Sequence, residues 1–133
     1  MDQQKKIEQM VLLCIDTARE MLKEYTVIIP FGVRSFNDSE DMKMNCPGDK
    51  LPESDHATQI DNVVNELKAF IADENVFATA YVMHLESEAG AGVGLQIETN
   101  QSSVLFVYPY RKEDGDWVID EPIQAGQLMK KVF

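Results

Sequence analysis

Two segments of the chain place an apolar residue at every third or fourth position, which is the spacing of an amphipathic helix. The first segment spans residues 4–25, and its apolar stripe consists of Ile7, Met10, Val11, Cys14, Ile15, Ala18, Leu22 and Tyr25. The second spans residues 56–74, where Ser54 or Asp55 can cap the first turn. Its stripe consists of Ile60, Val63, Val64, Leu67, Phe70 and Ile71. The pattern therefore predicts one helix in each segment.

The rest of the pattern predicts strands, because apolar residues alternate with polar ones or form short runs between turns. The predicted strand segments are residues 26–31 with a continuation over 33–36, 42–46, 76–85, 92–99, 104–110 and 116–120. Residues 76–85 are apolar on both faces, which favours a strand covered on both sides. In residues 92–99 the positions that face inward are Val93, Leu95 and Ile97. Residues 124–133 are consistent with a final short helix or a loose end.

The order of these elements is α-β-β-α-β-β-β-β. Consecutive strands joined by short loops favour an antiparallel sheet, and helices cover the apolar faces of such a sheet. We predict an α+β fold in which two amphipathic helices pack on a mostly antiparallel sheet of about five strands. The 133 residues are the usual length of one domain, so residues 1–133 are expected to form a single α+β domain.

The charge of the chain limits the partners that it can bind. The formal net charge is −11 at pH 7, and such a surface repels phosphate backbones and anionic lipid headgroups. We therefore expect neither nucleic acid nor a membrane as a partner, whereas a basic protein partner is compatible. Two lone cysteines, Cys14 and Cys46, and no secretory signal indicate a reducing compartment, so we expect a cytoplasmic location.

Four short strings of the sequence carry a resemblance. The helix end Ala18-Arg19-Glu20-Met21-Leu22-Lys23-Glu24-Tyr25, followed by Pro30-Phe31-Gly32, is similar to a group of small bacterial proteins. The later strings Ala80-Tyr81-Val82-Met83 and Tyr108-Pro109-Tyr110-Arg111 are similar to the same group. The resemblance implies the same domain layout and a bacterial origin. The group has no established activity, so the resemblance implies no catalytic residue.

Histidine and aromatic residues are the candidates for a binding site. His84 lies near Glu86 and could act as a general base, but no motif supplies a nucleophile beside it. Several aromatic residues cluster near one hairpin, where they could form a binding patch or simply pack across strands. The candidate binding residues are His84, Tyr81, Tyr108, Tyr110 and Trp117. We assign no catalytic residue.

Three patterns suggest metal or phosphate binding, and the spacing speaks against each of them. The residues around His56 that could join it on a metal are Cys46, Asp49, Glu53 and Asp55, but they match no ligand motif. Residues 37–41 lack the glycine and glutamate of a calcium loop at the required positions. Residues 90–94 are glycine-rich but lead into a strand, whereas a phosphate cradle opens a helix. We expect no metal and no cofactor.

These observations favour a non-enzymatic protein-binding module. A homodimer is one form of association, because residues 104–110 could pair across a sheet edge. A second form is an immunity or antitoxin-like partner that neutralises a basic enzyme. The alternative is a small enzyme or small-molecule-binding protein with a pocket between helix and sheet, using His84, Tyr81 or Tyr108.

Overall fold

The computed structural model describes residues 2–49, 55–88 and 90–133. Two helices, α1 (Gln3–Tyr25) and α2 (His56–Asp73), accompany seven strands, and a single turn of 3₁₀ helix covers Pro47–Asp49. The strands are β1 (Phe31–Phe36), β2 (Met42–Asn45), β3 (Val76–Ser87), β4 (Gly90–Thr99), β5 (Ser103–Glu113), β6 (Asp116–Ile119) and β7 (Ile123–Gln124). The α+β class is confirmed.

The ends of both helices follow from their capping residues. Asp2 and Asp55 are the N-caps, and their carboxylates accept hydrogen bonds from the backbone N–H groups of Lys5 and Thr58. Each bond satisfies a donor that the first turn of a helix leaves unpaired. Thr26 ends α1 in the left-handed conformation, with φ of 60°. Asp55 is thus the cap of α2, while the other predicted cap, Ser54, lies outside the described residues.

The sheet is antiparallel at every strand pair that the structure describes. Its strand order is β2-β1-β3-β4-β5-β6, and β7 pairs with β5 beside β6. The long strands β3, β4 and β5 form its centre. The prediction of about five strands was too low: the six predicted strand segments all belong to the sheet, and the short strand β7, which the order α-β-β-α-β-β-β-β lacks, makes a seventh among the described residues.

The two helices cover opposite faces of the sheet. Residues of α1 pack against Ala78, Ala80, Val82, Val93 and Leu95 in one buried cluster. Residues of α2 pack against Tyr81, Met83 and Leu105 in another. Because neighbouring strand residues point to opposite faces, these two sets place one helix on each side. The prediction that residues 76–85 are covered on both sides is therefore confirmed.

A glycine lets α2 approach the sheet closely. A Cβ at Gly32 on β1 would lie 3.0 Å from Leu67 Cδ1 and 3.1 Å from Val63 Cγ1 of α2, and 2.6 Å from Asn45 Oδ1 of β2. Ordinary Cβ contacts are longer than this, so no larger residue fits without a shift. Gly32 thus sets the distance between α2 and the edge of the sheet.

The strand of residues 104–110 is not an edge. One side of β5 pairs with β4, and the other side pairs with β6 through residues 110–113 and with β7 through residues 106–107. The prediction that this strand could pair with a second copy is therefore wrong. The strands at the two ends of the order are β2 and β6, each of four residues.

The end of the chain is neither a helix nor a loose end. After β7, the backbone N–H of Ala125 donates to the carbonyl of Leu105, and the chain then crosses the α2 side of the sheet without regular secondary structure. Residues 126–133 are called the C-terminal segment below. Its residue Val132 is 5% exposed and packs in the α2 cluster, which shows that this residue anchors the segment to the core.

Candidate functional site

His84 on β3 and Tyr110 on β5 meet across the intervening strand β4. The Nδ1 atom of His84 lies 2.8 Å from the hydroxyl oxygen of Tyr110. On β4, Ala91 lies opposite Glu86, and its small side chain leaves room for the two larger groups. Trp117 on β6 continues the row, with its ring 5.8 Å from the Tyr110 ring in an edge-to-face arrangement. The predicted residues His84, Tyr110 and Trp117 therefore lie together.

Two further groups complete the surroundings of His84. Its Nε2 atom lies 2.8 Å from Oε1 of Glu86, two residues along the same strand face. Its backbone N–H donates a 3.1 Å hydrogen bond to Nε2 of His56 in the first turn of α2. Burial lowers the pKa of His56, and the nearby His84 lowers it further. Burial and the charge of Glu86 raise the pKa of Tyr110.

The hydrogen bonds in this cluster leave the histidine nitrogens occupied. Both ring nitrogens of His84 have a partner, Nδ1 the hydroxyl of Tyr110 and Nε2 the carboxylate of Glu86, and the tautomer determines which of them donates. Nε2 of His56 already accepts from the backbone. A general base needs a nitrogen within reach of a substrate proton. The arrangement is therefore suited to holding three strands and α2 together.

Tyr81 lies apart from this cluster, whereas Tyr108 lies on the same face, opposite Val93, which in turn lies opposite His84. Tyr81 points to the α2 side, is fully buried, and donates a 2.6 Å hydrogen bond to the carbonyl of Lys130. Burial and the charge of Glu98 raise its pKa. Tyr108 is half-buried on the α1 side, where burial raises its pKa, with smaller contributions from Cys14 and Glu121. The five candidate residues thus occupy both faces of the sheet.

The described residues around His56 have other roles than holding a metal. No group of three or more His, Cys, Asp or Glu side chains suited to a metal occurs within residues 2–49, 55–88 and 90–133. His56 bonds to His84, and Asp55 caps α2. Glu53 lies outside the described residues. Cys46 donates from Sγ toward the carbonyl of Pro30, and burial raises the pKa of the Cys14 thiol.

A groove lies between the start of α1 and the sheet. Its volume is about 580 Å³, within the range of natural ligand sites. The floor is apolar and is formed by Ile7, Val76, Phe77, Ile97, Val104, Phe106 and Phe133. The rim carries amide and hydroxyl side chains, namely Gln3, Gln4, Asn37, Thr99, Asn100, Gln101 and Ser102. Among the described residues that line this groove, none has an ionisable side chain.

A smaller cleft lies at the other end of α1. Its volume is about 380 Å³, and it is lined by Arg19, Lys23, Thr26, Lys112, Gly115, Asp116 and Trp117. Each cation has a partner: Arg19 lies 3.2 Å from Asp16, Lys23 lies 3.5 Å from Glu20, and Lys112 lies over the Trp117 ring. The two ion pairs are exposed and contribute little to stability. Their carboxylates offset the charges of Arg19 and Lys23, so the cleft is poorly suited to binding an anion.

Two polar residues of β4 are buried beneath the C-terminal segment. Gln96 and Glu98 are both 0% exposed. Oε1 of Gln96 accepts from the backbone N–H of Met129 over 2.7 Å, and its Nε2 donates to the carbonyl of Lys130 over 3.0 Å. Oε2 of Glu98 accepts from the backbone N–H of Val132 over 2.9 Å. Glu98 also accepts from the Ser103 hydroxyl through Oε1 over 3.0 Å.

The sequence pattern did not reveal the groove or this buried pair. The alternation in residues 92–99 correctly places Val93, Leu95 and Ile97 inward, and by the same logic it places Gln96 and Glu98 toward water. The polar pair is buried because a segment about thirty residues later in the chain covers it. A signal was present in the apolar residues Val132 and Phe133, which a loose end would expose.

Comparisons with known proteins add no identity. No protein-family model matches the chain, and neither a curated protein nor a solved structure is significantly similar to it. Within the described residues, no helix is both long and apolar enough to cross a membrane. The features of the molecule that bear on its function are therefore the groove, the cluster around His84, the buried pair Gln96 and Glu98, and the net charge.

Proposed function

We propose that this protein is a non-enzymatic protein-binding module that holds an apolar part of a basic partner in the groove at the start of α1. The observation that carries the proposal is the lining of that groove: an apolar floor, a rim of amides and hydroxyls, and no ionisable side chain among the described residues. The described lining thus offers no acid, base or activated nucleophile to a bound molecule, and the nearby Lys6, whose Nζ lies 5.9 Å from the centre of the Phe77 ring, donates to the carbonyl of Phe36.

The rim is suited to a polypeptide. An amide side chain carries both a donor and an acceptor, so it complements the N–H and C=O groups of a partner backbone. Gln3, Gln4, Asn100 and Gln101 supply four such groups around the opening. The floor, with Phe77 and Phe106, can accept one or two apolar side chains, which supply most of the binding energy at protein interfaces.

The charge of the chain selects the kind of partner. At −11, the molecule attracts a basic protein and accelerates encounter with it, whereas an acidic protein is repelled. One specific form of the proposal is an immunity or antitoxin-like protein that neutralises a basic enzyme in a bacterial cytoplasm. In that form the groove provides the binding contacts, and the acidic surface increases the rate of association with the basic enzyme.

Two residues of α1 provide a matched test. Ile7 lines the groove, whereas Leu12 is 63% exposed on the same helix. Ile7→Gln and Leu12→Gln therefore make the same chemical change at two places. The probe is a set of twelve-residue peptides, each with two leucine or phenylalanine residues and a net charge of +3, compared with a set of −3. Binding is followed by fluorescence polarisation.

We expect cationic peptides to bind, with a Kd raised at least ten-fold by Ile7→Gln and unchanged by Leu12→Gln. Association should slow as salt is added, because steering by charge is screened. Equal loss in both variants, or equal binding of the two peptide sets, would contradict the proposal. Thermal unfolding of both variants shows whether Ile7→Gln acts through the groove or through loss of the fold.

A further inference from the structure

We infer that the face of the sheet formed by Tyr81, Gln96 and Glu98 is a binding surface for a peptide without regular secondary structure, and that the partner it fits is the C-terminal segment of a second copy of this chain. In the structure the chain's own C-terminal segment occupies the surface. This inference concerns the side of the sheet that carries α2 and does not depend on the groove.

The surface recognises backbone atoms. Gln96 binds the N–H of Met129 and the C=O of Lys130, Tyr81 donates to the same carbonyl, and Glu98 accepts from the N–H of Val132. Three side chains of the sheet thus make four hydrogen bonds to main-chain groups of the segment. Side chains that bind main-chain N–H and C=O groups accept a peptide of any sequence, and the enclosed position of Val132 adds a preference for one apolar side chain.

The segment has the features of an exchangeable ligand. Most of its side chains face water, with Leu128 and Met129 at 41% and 36% exposure, and Val132 alone among its described residues is fully enclosed. Its first residue is Gly126, where a Cβ would meet no atom within 4 Å. A segment held by few buried contacts opens more readily than the core.

Release of the segment leaves no unpaired polar group behind. Gln96, Glu98 and Tyr81 can bond to water when the segment is away. The same three side chains then face a solution that contains other copies. Because every copy carries the same segment, it offers the same main-chain groups and the same valine.

The test uses the full chain and a fluorescein-labelled peptide of residues 126–133. In the wild-type protein the tethered segment competes at an effective concentration in the millimolar range. Val132→Asn weakens that internal competitor without altering the surface. The matched control is Lys131→Asn, because Lys131 is the exposed neighbour of Val132. Circular dichroism and thermal unfolding confirm that both variants fold.

We expect the Val132→Asn protein to bind the peptide at least ten-fold more tightly than the wild type, with Lys131→Asn within two-fold of the wild type. Adding Glu98→Gln to Val132→Asn should remove the gain, and a peptide carrying asparagine in place of the valine should bind at least ten-fold more weakly. No gain in the Val132→Asn protein would overturn the inference. So would amide hydrogen exchange showing that Met129 and Val132 open only when the whole protein unfolds.

Discussion

The backbone N–H of His84 donates a hydrogen bond to Nε2 of His56, so the first turn of α2 is fastened to the end of β3 through an imidazole that must be neutral. A protonated Nε2 is a donor and cannot accept this bond. Burial, reinforced by the neighbouring His84, lowers the pKa of His56 below its ordinary value of 6.5. The contact is therefore sensitive to pH.

The first prediction concerns stability in mild acid. Since the folded-state pKa of His56 is lowered, the unfolded chain binds more protons between that pKa and 6.5, and the contribution of His56 to stability falls as the pH drops through this window. Above pH 6.5 the contribution is fully present. Urea denaturation from pH 8 to pH 5 should show a smaller loss of unfolding free energy in His56→Gln than in the wild type. Parallel profiles would contradict this.

The second prediction concerns the approach of α2 to the sheet. Gly32→Ala places a methyl group against Asn45, Val63 and Leu67, and overpacking of this kind costs roughly 1–3 kcal/mol of unfolding free energy. Gly126→Ala is the control, since a Cβ there meets nothing, and it should stay within about 0.5 kcal/mol of the wild type. Both values come from urea denaturation. A Gly32→Ala protein as stable as the wild type would show that α2 can move outward freely.

The third prediction separates the two cations with the clearest ion pairs. Arg34 is buried, donates from Nε to Glu74 over 2.6 Å, and stacks its guanidinium 3.6 Å from the Phe70 ring centre. Lysine keeps the positive charge but loses the planar stacking on the ring and the several fixed N–H donors of the guanidinium. Arg34→Lys should therefore lower the unfolding free energy by roughly 1–2 kcal/mol.

The control for that change is Arg111→Lys on β5. Arg111 pairs with Asp120 and Glu113, but it is exposed, and exposed pairs are screened by water and salt. We expect its denaturation midpoint to match that of the wild type. A larger loss at Arg111 than at Arg34 would mean that burial does not determine which pair matters.

The fourth prediction concerns the end of α1. Thr26 has a φ of 60°. This conformation is sterically unfavourable for a β-branched residue and carries no steric penalty for glycine. Thr26→Gly should therefore raise the unfolding free energy by about 1 kcal/mol. Asp114→Gly, at a φ of 52°, should give a smaller gain because aspartate tolerates this region. Thermal unfolding of both variants measures the two gains in stability. A larger gain for Asp114→Gly than for Thr26→Gly would contradict the prediction.

The helices and the central strands could be predicted from the sequence because their signals are local. The stripe residues Met10, Cys14 and Leu22 are all buried, as are Val63 and Leu67 of α2, since helical periodicity directly reflects a single covered face. The same holds for the alternation along β4. Each of these predictions needs only the residues of one element.

The contacts that define the candidate sites depend on residues far apart in the chain. His84 meets His56 and Tyr110 at separations of 28 and 26 residues, and Glu98 meets Val132 at a separation of 34. No periodicity encodes such meetings. The groove is also non-local, because it combines the start of α1 with the ends of three strands and Phe133.

Phe133 belongs to two surfaces at once. Its side chain helps to form the floor of the groove, while its neighbour Val132 is anchored by Glu98 on the other side of β4. Any molecule that gains contacts with Phe133 in the groove therefore stabilises the docked position of the C-terminal segment. By thermodynamic reciprocity, docking of the segment increases the affinity for that molecule by the same factor. Occupancy of the groove on one face of the sheet and docking of the segment on the other face would thus be coupled through two adjacent residues, without any strand having to move.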